Sequence, residues 1–425
     1  MSTLLTANVC QTTSTSTSSA LTNELDSQQL LLYKILQATP SNSNEHFLHF
    51  SPFSIWSALL VTYMGARGET SKELRSVLGA YMPKHAVGIS YQGLRLWYKV
   101  KANVSMVKGQ SKNQPCSFAN KIFINDNLPL TDCIKQYFGE EVQPMGFAND
   151  PGKARKKINA WVEGETRNKI KDLIPVGGIT QWTTIVIANA LYFHSKWQHQ
   201  FDSSQTEMGS FHVSPTETVQ VPYMKMTANL MYGVSETLGA TLLELPYANQ
   251  VTYSLLILLP DASKGIDSLV RKLEPTHLAE VMGNMYDDEI SVVIPKFKAE
   301  QEFELAGPLY SMGVKKLFDP RFSDLSGFVA DPTMSVTKSK DGNSTANPTI
   351  TSHGVTVNSV VHKVFISVDE EGTEAAAATA ILMARSGRPA FPTRFVVDRP
   401  FLFLIRDTAT DIILFIGIVR RPNES

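Results

Sequence analysis

Residues 370–380, Glu-Glu-Gly-Thr-Glu-Ala-Ala-Ala-Ala-Thr-Ala, constrain the fold of this chain more than any other stretch. Small, unhindered side chains fill nearly every position, and the run continues into Ile381-Leu-Met-Ala-Arg-Ser-Gly-Arg-Pro389. Strand-like apolar runs lie on both sides, Val361–Val368 before it and Phe395–Ile405 after it. Composition alone reads 373–385 as a helix, because Ala, Leu, Met, Glu and Arg are strong helix formers. The strand context reads it as a loop. A segment whose local and global signals disagree is a candidate functional site.

The first two hundred residues read as mainly helical. Gln28–Leu36 carries apolar residues at helical spacing, Ser54–Met64 suits a buried helix, and Glu69–Leu78 reads as a third helix capped by Thr70 or Ser71. Residues 152–173 read as an amphipathic helix and its extension, with Ile158, Trp161 and Val162 on one face. Lys153, Arg155, Lys156 and Lys157 crowd its start, where a solvated face is a plainer reading than a binding site. Strands dominate the rest: Thr183–Phe193, Thr252–Leu259, Ile290–Phe297, Val361–Val368, Phe395–Ile405 and Asp411–Val419 are β-branched or aromatic runs. Asn125-Asp-Asn127 and Pro260-Asp-Ala262 supply turns. Strands mixed with helices, without regular alternation, point to an α+β fold. No linker divides the chain, so a single domain over residues 24–425 is expected behind a disordered Ser/Thr-rich tail at 1–23. Polar residues 331–356 read as a flexible surface loop inserted before the strand that leads into the alanine run.

Charge narrows the choice of partners. Lys+Arg 39 against Asp+Glu 40 leave a net −1, which argues against nucleic acid or a membrane surface. No apolar run reaches the ~18–20 residues that a membrane-spanning helix needs. Met1–Ala20 has neither the basic start nor the apolar centre of a secretory leader. Cys10, Cys116 and Cys133 read as isolated, partly buried thiols, with no disulfide framework and no metal spacing. Asn103-Val-Ser, Asn343-Ser-Thr and Asn423-Glu-Ser are glycosylation triplets, usable only in a secreted chain.

An active site of the chain's own finds no support. Gly88-Ile-Ser-Tyr-Gln-Gly93 misses the spacing of a nucleophile elbow. His46 and His49 fall in Glu45–Phe50, which reads as the start of a strand and turns them to opposite sides. Gly65–Ser71 lacks phosphate-loop spacing, and His194 and His199 merely flank Trp197. No H-E-x-x-H pair occurs, so neither a metal nor a cofactor is expected, and the chain does not read as an enzyme.

The alanine run resembles the reactive-loop hinge of the serpins, the serine-protease inhibitor family. Phe395-Val-Val-Asp-Arg-Pro-Phe-Leu-Phe403 is similar to the family's C-terminal signature. Ser51-Pro-Phe-Ser54, Gly65-Ala-Arg-Gly68, Asn189-Ala-Leu-Tyr-Phe193 with Trp197, and Val361-His-Lys363 each fall where a serpin carries its counterpart, between Glu24 and Pro422. The resemblance implies a large central sheet, two smaller sheets, about nine helices and an exposed reactive loop, here 370–394. It implies a hinge at Glu370, Glu371, Gly372, Thr373, Glu374, Ala375, Ala376, Ala377, Ala378 and Thr379. It also implies sheet-opening control by Ser51, Ser54, Asn189, Trp197, Lys296 and His362. In the family the matching histidine bonds an asparagine and serines, and the matching lysine pairs with the acid at the hinge base, here Glu370. A satisfied core histidine and a solvated lysine are the plainer readings of His362 and Lys296.

The activity so implied is inhibition by suicide. A protease attacks a bait carbonyl and forms an acyl-enzyme. The cut loop then inserts into the main sheet and distorts the protease before hydrolysis finishes. Side chains on a strand alternate faces, so Thr373, Ala375, Ala377, Thr379 and Ile381 would face inward while Glu374 meets solvent. Counting the family's usual hinge length from Glu370 reaches Ser386, and Arg385 is one residue short. Arg385 is the better handle for a trypsin-like pocket, so the attacked bond is Arg385-Ser386 or Ser386-Gly387. The expected partner is a trypsin-like serine protease held covalently by a monomer. Lys99, Lys101, Lys108 and Lys112 lie where some serpins bind heparin-like polyanions, and weak polyanion binding stands beside a solvated surface as their reading. The resemblance favours an extracellular protein, with the cytoplasm as the alternative. The alternative function is a non-inhibitory serpin serving as chaperone, carrier or storage protein.

Overall fold

The computed structural model describes residues 47–80, 83–107, 116–248, 253–330, 355–373 and 392–422. Its helices are α1 (Pro52–Gly65), α2 (Gly68–Leu78), α3 (Lys84–Val107), α4 (Asp132–Phe138), α5 (Pro151–Glu165), α6 (Gly265–Lys272), α7 (Pro275–Gly283) and α8 (Ala306–Ser311). The strands begin with β1 (Phe47–Phe50), β2 (Cys116–Asn125), β3 (Val142–Met145), β4 (Ile185–Phe193), β5 (Ser195–Lys196), β6 (Glu207–Ser214), β7 (Glu217–Ser235) and β8 (Ala240–Pro246). They continue with β9 (Tyr253–Pro260), β10 (Tyr286–Pro295), β11 (Phe297–Glu304), β12 (Val357–Val368), β13 (Gly372–Thr373), β14 (Thr393–Val396), β15 (Phe401–Asp407) and β16 (Ile412–Val419). Helices and strands are mixed without regular alternation, as an α+β fold requires.

The strands form two sheets. One has seven strands in the order β3-β2-β4-β12-β13-β5, with β11 on the other side of β12. The other has nine, β1-β16-β15-β9-β8-β7-β10-β14, with β6 on β7. The two smaller sheets expected from the sequence are joined here, because β7 serves both. Its residues 217–232 pair with β6 and β10, while Met231–Ser235 pair with β8.

Helix α1 lies between the sheets, packed on β2 and β4 of one and β16 of the other. Every one of its residues is buried, which its apolar run Ile55–Met64 permits. Pro52 stands in the first turn, where no amide partner is lost, and the Ser51 hydroxyl accepts the Ser54 N–H at 3.1 Å. A second core lies on the opposite face of the seven-stranded sheet. There Ile158 and Val162 of α5, with Ile170 and Leu173 beyond it, cover Val186, Ala188, Ala190 and Tyr192 of β4 and Val361 and Phe365 of β12.

Several expectations need correction. The first two hundred residues hold β2, β3 and β4, so they are less helical than composition suggests. Helix α2 starts at Arg67 without a side-chain cap, because the Thr70 hydroxyl is taken by the Asp324 N–H at 3.0 Å. The α5 helix stops at Glu165, and the next residues turn through left-handed Arg167 and Asn168. The run Ile290–Phe297 is two strands in different sheets: Pro295 ends β10, and β11 begins at Phe297. Phe395–Ile405 also divides, since Asp398-Arg-Pro400 separates β14 from β15. Val355 and Thr356, expected in a surface loop, are buried. Cys133 is disulfide-bonded rather than a free thiol. The expected tail, the helix at Gln28–Leu36 and residues 374–391 lie outside the described residues.

Close packing at one glycine tests this arrangement. A Cβ on Gly65, at the end of α1, would overlap the fully buried Phe328 ring. Overpacking of this kind costs ~1–3 kcal/mol. The Gly65→Ala variant is therefore expected to unfold at lower denaturant with an unchanged slope, and an unchanged midpoint would contradict the packing.

Candidate functional site

Strands β4 and β12 are parallel neighbours, paired from Val357 opposite Ile185 to Phe365 opposite Tyr192. At the upper end of this seam the chain reverses. The Asp369 carboxylate accepts the N–H groups of Glu371 at 3.0 Å and Gly372 at 3.2 Å, and the Asp369 N–H reaches the Gly372 carbonyl at 2.9 Å. Burial raises the Asp369 pKa, and these two N–H donors oppose the shift. The two residues after the turn form β13, where Thr373 sits opposite both Val368 of β12 and Ser195 of β5. Only Gly fits before it, because a Cβ on Gly372 would overlap the Ser195 carbonyl.

Thr373 is completely buried, and its hydroxyl lies 2.8 Å from the Tyr247 hydroxyl. The sequence placed Thr373 as a residue that faces the core once inserted; the structure shows it already seated. Tyr247 stacks on Trp197 with ring centroids 4.6 Å apart, and burial raises its pKa. Trp197 in turn holds the turn by two bonds: its indole N–H donates to the Asp369 carbonyl at 2.8 Å, and its backbone N–H to the Glu371 carbonyl at 2.9 Å. Glu370 pairs with Lys296 at 2.8 Å and accepts the Thr206 hydroxyl at 2.7 Å. Burial opposes the Glu370 charge, but these two donors outweigh it and hold the carboxyl below its usual range.

The remaining candidates gather lower down, six residues along each strand or about 20 Å from the turn. The His362 Nε2 accepts the Ser51 N–H at 3.0 Å. Ser54 donates its hydroxyl to the Asn120 side chain on β2. Asn120, Asn189 and His362 stand in register across β2, β4 and β12. The expected bond between Asn189 and His362 is absent. Both polar atoms of the Asn189 amide and the His362 Nδ1 are buried without a hydrogen-bond partner. The six residues grouped from the sequence thus divide, Trp197 and Lys296 at the turn, and Ser51, Ser54, Asn189 and His362 beneath the seam.

Sequence reasoning missed Asn120, Thr206, Tyr247 and Asp369. Asn120 had a signal in principle, a polar residue inside an apolar strand run; the others depend on contacts between distant segments. Glu374, Ala375–Thr379, Arg385, Ser386 and Gly387 lie outside the described residues, as do the side chains of Lys99, Lys101, Lys108 and Lys112. Among the described residues no cluster of His, Cys, Asp and Glu could hold a metal ion.

The cluster beneath the seam predicts a pH dependence. Burial first, then the neighbouring His49, lowers the His362 pKa from 6.5 to about 3, and burial lowers that of His49 to about 4. Both rings are neutral when folded and take up a proton when unfolded below pH 6.5. Their stabilisation is complete above that value and is lost as pH falls towards 3 or 4. Each proton contributes a slope of about 1.4 kcal/mol per pH unit in this window. Denaturant titrations between pH 6 and 4.5 should show a shallower fall for His362→Gln than for the parent; equal slopes would place the proton elsewhere.

Known proteins share this architecture. The sequence profile of the serpin family, described as serpin (serine protease inhibitor), matches residues 27–422. The chain is 31% identical over 407 residues to Iris of Ixodes ricinus, covering 94% of this chain and 99% of that protein. It is 32% identical over 411 residues to serine protease inhibitor 88Ea of Drosophila melanogaster, covering 92% and 88%. The crystal structure of Serpin48, a highly specific serpin in the insect Tenebrio molitor, matches with a TM-score of 0.73 at 29% identity, covering 96% of this chain and 100% of that one. By this profile and these relatives, whose fold the two sheets share, the chain belongs to the serpin family, a family of serine protease inhibitors.

Proposed function

We propose that this chain traps a trypsin-like serine protease as a covalent acyl complex, by inserting its reactive loop between β4 and β12. One observation carries the reading: a strand has begun in the seam at Gly372 and Thr373, antiparallel to β12 and β5. Continued downward, that strand stays in register with both neighbours. Six residues beyond Thr373 stands Thr379, and six residues back from Ser195 and Val368 stand Asn189 and His362. Asn189 and His362 are already opposite one another, so the two registers agree.

Alternation gives Thr379 the same face as Thr373, towards the core. Its hydroxyl would then meet the unpartnered Asn189 amide and His362 Nδ1. Thr373, Ala375, Ala377 and Thr379 are small enough to pass inward, and Glu374 stays in solvent. About a dozen inserted residues would make about twenty backbone hydrogen bonds at ~1 kcal/mol net each. Even after loss of the β4–β12 ladder this rivals the ~5–15 kcal/mol stability of a domain.

Arg385 is the residue offered to the protease, because a guanidinium pairs bidentately with the acid of a trypsin-like pocket. The attacked bond is then Arg385-Ser386, with Ser386-Gly387 as the alternative. The disulfide at Cys133 supports an extracellular setting, since such bonds persist in oxidising compartments.

Denaturing gels of mixtures with trypsin-like proteases test the reading. The chain should give a detergent-resistant band near the sum of the two masses, and Arg385→Ala should lose at least about a hundredfold in trapping rate. A released fragment beginning at Gly387 would move the attacked residue to Ser386. Clipped monomer with every protease would replace inhibition by the chaperone, carrier or storage reading.

A further inference from the structure

The chain leaves α1 at Gly65, passes Ala66 and Arg67, enters α2 at Gly68, and returns to open α3 at Lys84. The Lys84 ammonium donates to the Ala66 carbonyl and lies 4.4 Å from the centre of the Tyr63 ring. The Arg67 guanidinium donates to the same Ala66 carbonyl at 2.8 Å and to the Met64 carbonyl at 3.0 Å, both through Nη1. Two cations therefore converge on one carbonyl oxygen. Tyr63 and Ala66 are buried, whereas Arg67 and Lys84 are both partly exposed, so a small molecule can reach the two charges from solvent.

A glycine fixes the arginine. A Cβ on Gly327 would overlap Arg67 Cζ and Nη1, so the guanidinium lies flat against that backbone. Asp324, whose charge acts on both cations, is engaged elsewhere. Its Oδ1 accepts the Ser326 N–H at 3.2 Å and the Ser326 hydroxyl at 2.7 Å. Among the described residues no carboxylate lies within 4.0 Å of either cation. Among the same residues Arg67 Nε and Nη2 make no hydrogen bond. Burial first, then Arg67, lowers the Lys84 pKa from 10.5 to about 7, against the pull of Asp324. Arginine keeps its proton under such pressure, so the lysine is the group that gives up its charge.

We infer that Lys84 is a carbon dioxide site, which takes up CO2 as a carbamate that Arg67 holds. The free amine attacks the carbon of CO2. An N–C bond forms, one C–O π pair moves to oxygen, and a proton passes from nitrogen to water. The amine and CO2 thus give a carbamate anion and a proton, with no other reactant. The product places an anion with carboxylate geometry beside a guanidinium whose Nε and Nη2 are unused, and such a fork pairs bidentately with it. A contact between like charges becomes an ion pair. Exposed lysines do not compete, because CO2 reacts with the free amine and theirs is almost wholly protonated near neutral pH. The inference is independent of loop insertion, since Lys84 lies where α1, α2 and α3 are joined and not in the β4–β12 seam.

Trapping the carbamate tests this. The full-length protein is equilibrated with isotope-labelled bicarbonate at about pH 7.5, where the free amine of an ordinary lysine is scarce. The carbamate is fixed as its ethyl ester with triethyloxonium, and the labelled lysines are read by peptide mass spectrometry. Label at Lys84 should exceed that at the exposed Lys153, Lys156 and Lys157 at least about a hundredfold, the ratio expected from their free-amine fractions. Arg67→Lys, which keeps a charge but not the planar fork, should lose most of the label. Bicarbonate at constant ionic strength should raise the melting temperature of the parent but not of Lys84→Arg, which keeps the cation and lacks the reactive amine. Label spread evenly over the lysines overturns the site. An equal rise in Lys84→Arg overturns it as well, by showing an anion effect without a covalent bond, and equal label in Arg67→Lys overturns the holding role of Arg67.

Discussion

The parallel pairing of β4 with β12 is the constraint on which the rest of the structure depends. Parallel neighbours share one slanted ladder, slightly weaker per residue than an antiparallel one. A strand running antiparallel to both would exchange that single ladder for two antiparallel ladders. The turn at Asp369–Gly372 aims the chain in that direction, because it reverses β12 at the upper end of the seam. In the proposed insertion, the groups that hold the turn would also hold its threshold: Trp197 on two backbone carbonyls, Lys296 and Thr206 on Glu370, and Tyr247 on Thr373.

Two polar environments lie along the seam, and they differ in what they leave undone. At the turn the Asp369 carboxylate, Glu370, the Trp197 indole and the Thr373 hydroxyl are paired, while the Glu371 Oε2 and the Ser195 Oγ are buried without partners. Beneath the seam the Asn189 amide and the His362 Nδ1 are buried without partners. Unsatisfied buried groups of this kind cost about 1–3 kcal/mol each. The protein bears that cost in the middle of the sheet, at the level to which the proposed insertion would bring the Thr379 hydroxyl. An added strand at that level would supply the partner these groups lack.

Much of this was legible in the sequence, for physical reasons that can be named. The start of the small-residue run was readable as a segment that meets the sheet, and Gly372 and Thr373 do lie in it; the rest of that run lies outside the described residues. Helix α1 was readable from an unbroken apolar run. The splits at Pro295 and Pro400 were also available, since proline cannot donate to a ladder, but apolar content on both sides hid them. The cap at Thr70 was misplaced because its hydroxyl serves a loop more than two hundred residues away. That Gly372 and Thr373 form a strand in the sheet was not readable at all. It depends on the Tyr247 hydroxyl, the Trp197 indole and the Ser195 backbone, which meet only in the folded chain.

The central claim is that loop cleavage widens the seven-stranded sheet by one strand. Pulsed electron-spin measurements between labels at exposed Gln143 of β3 and Glu302 of β11, on opposite sides of the seam, report that width directly. Cleavage in the reactive loop should lengthen the distance by about 4.8 Å, the spacing of neighbouring strands. An unaltered distance after complete cleavage would mean that the loop stays outside and that the seam is a static feature of the fold.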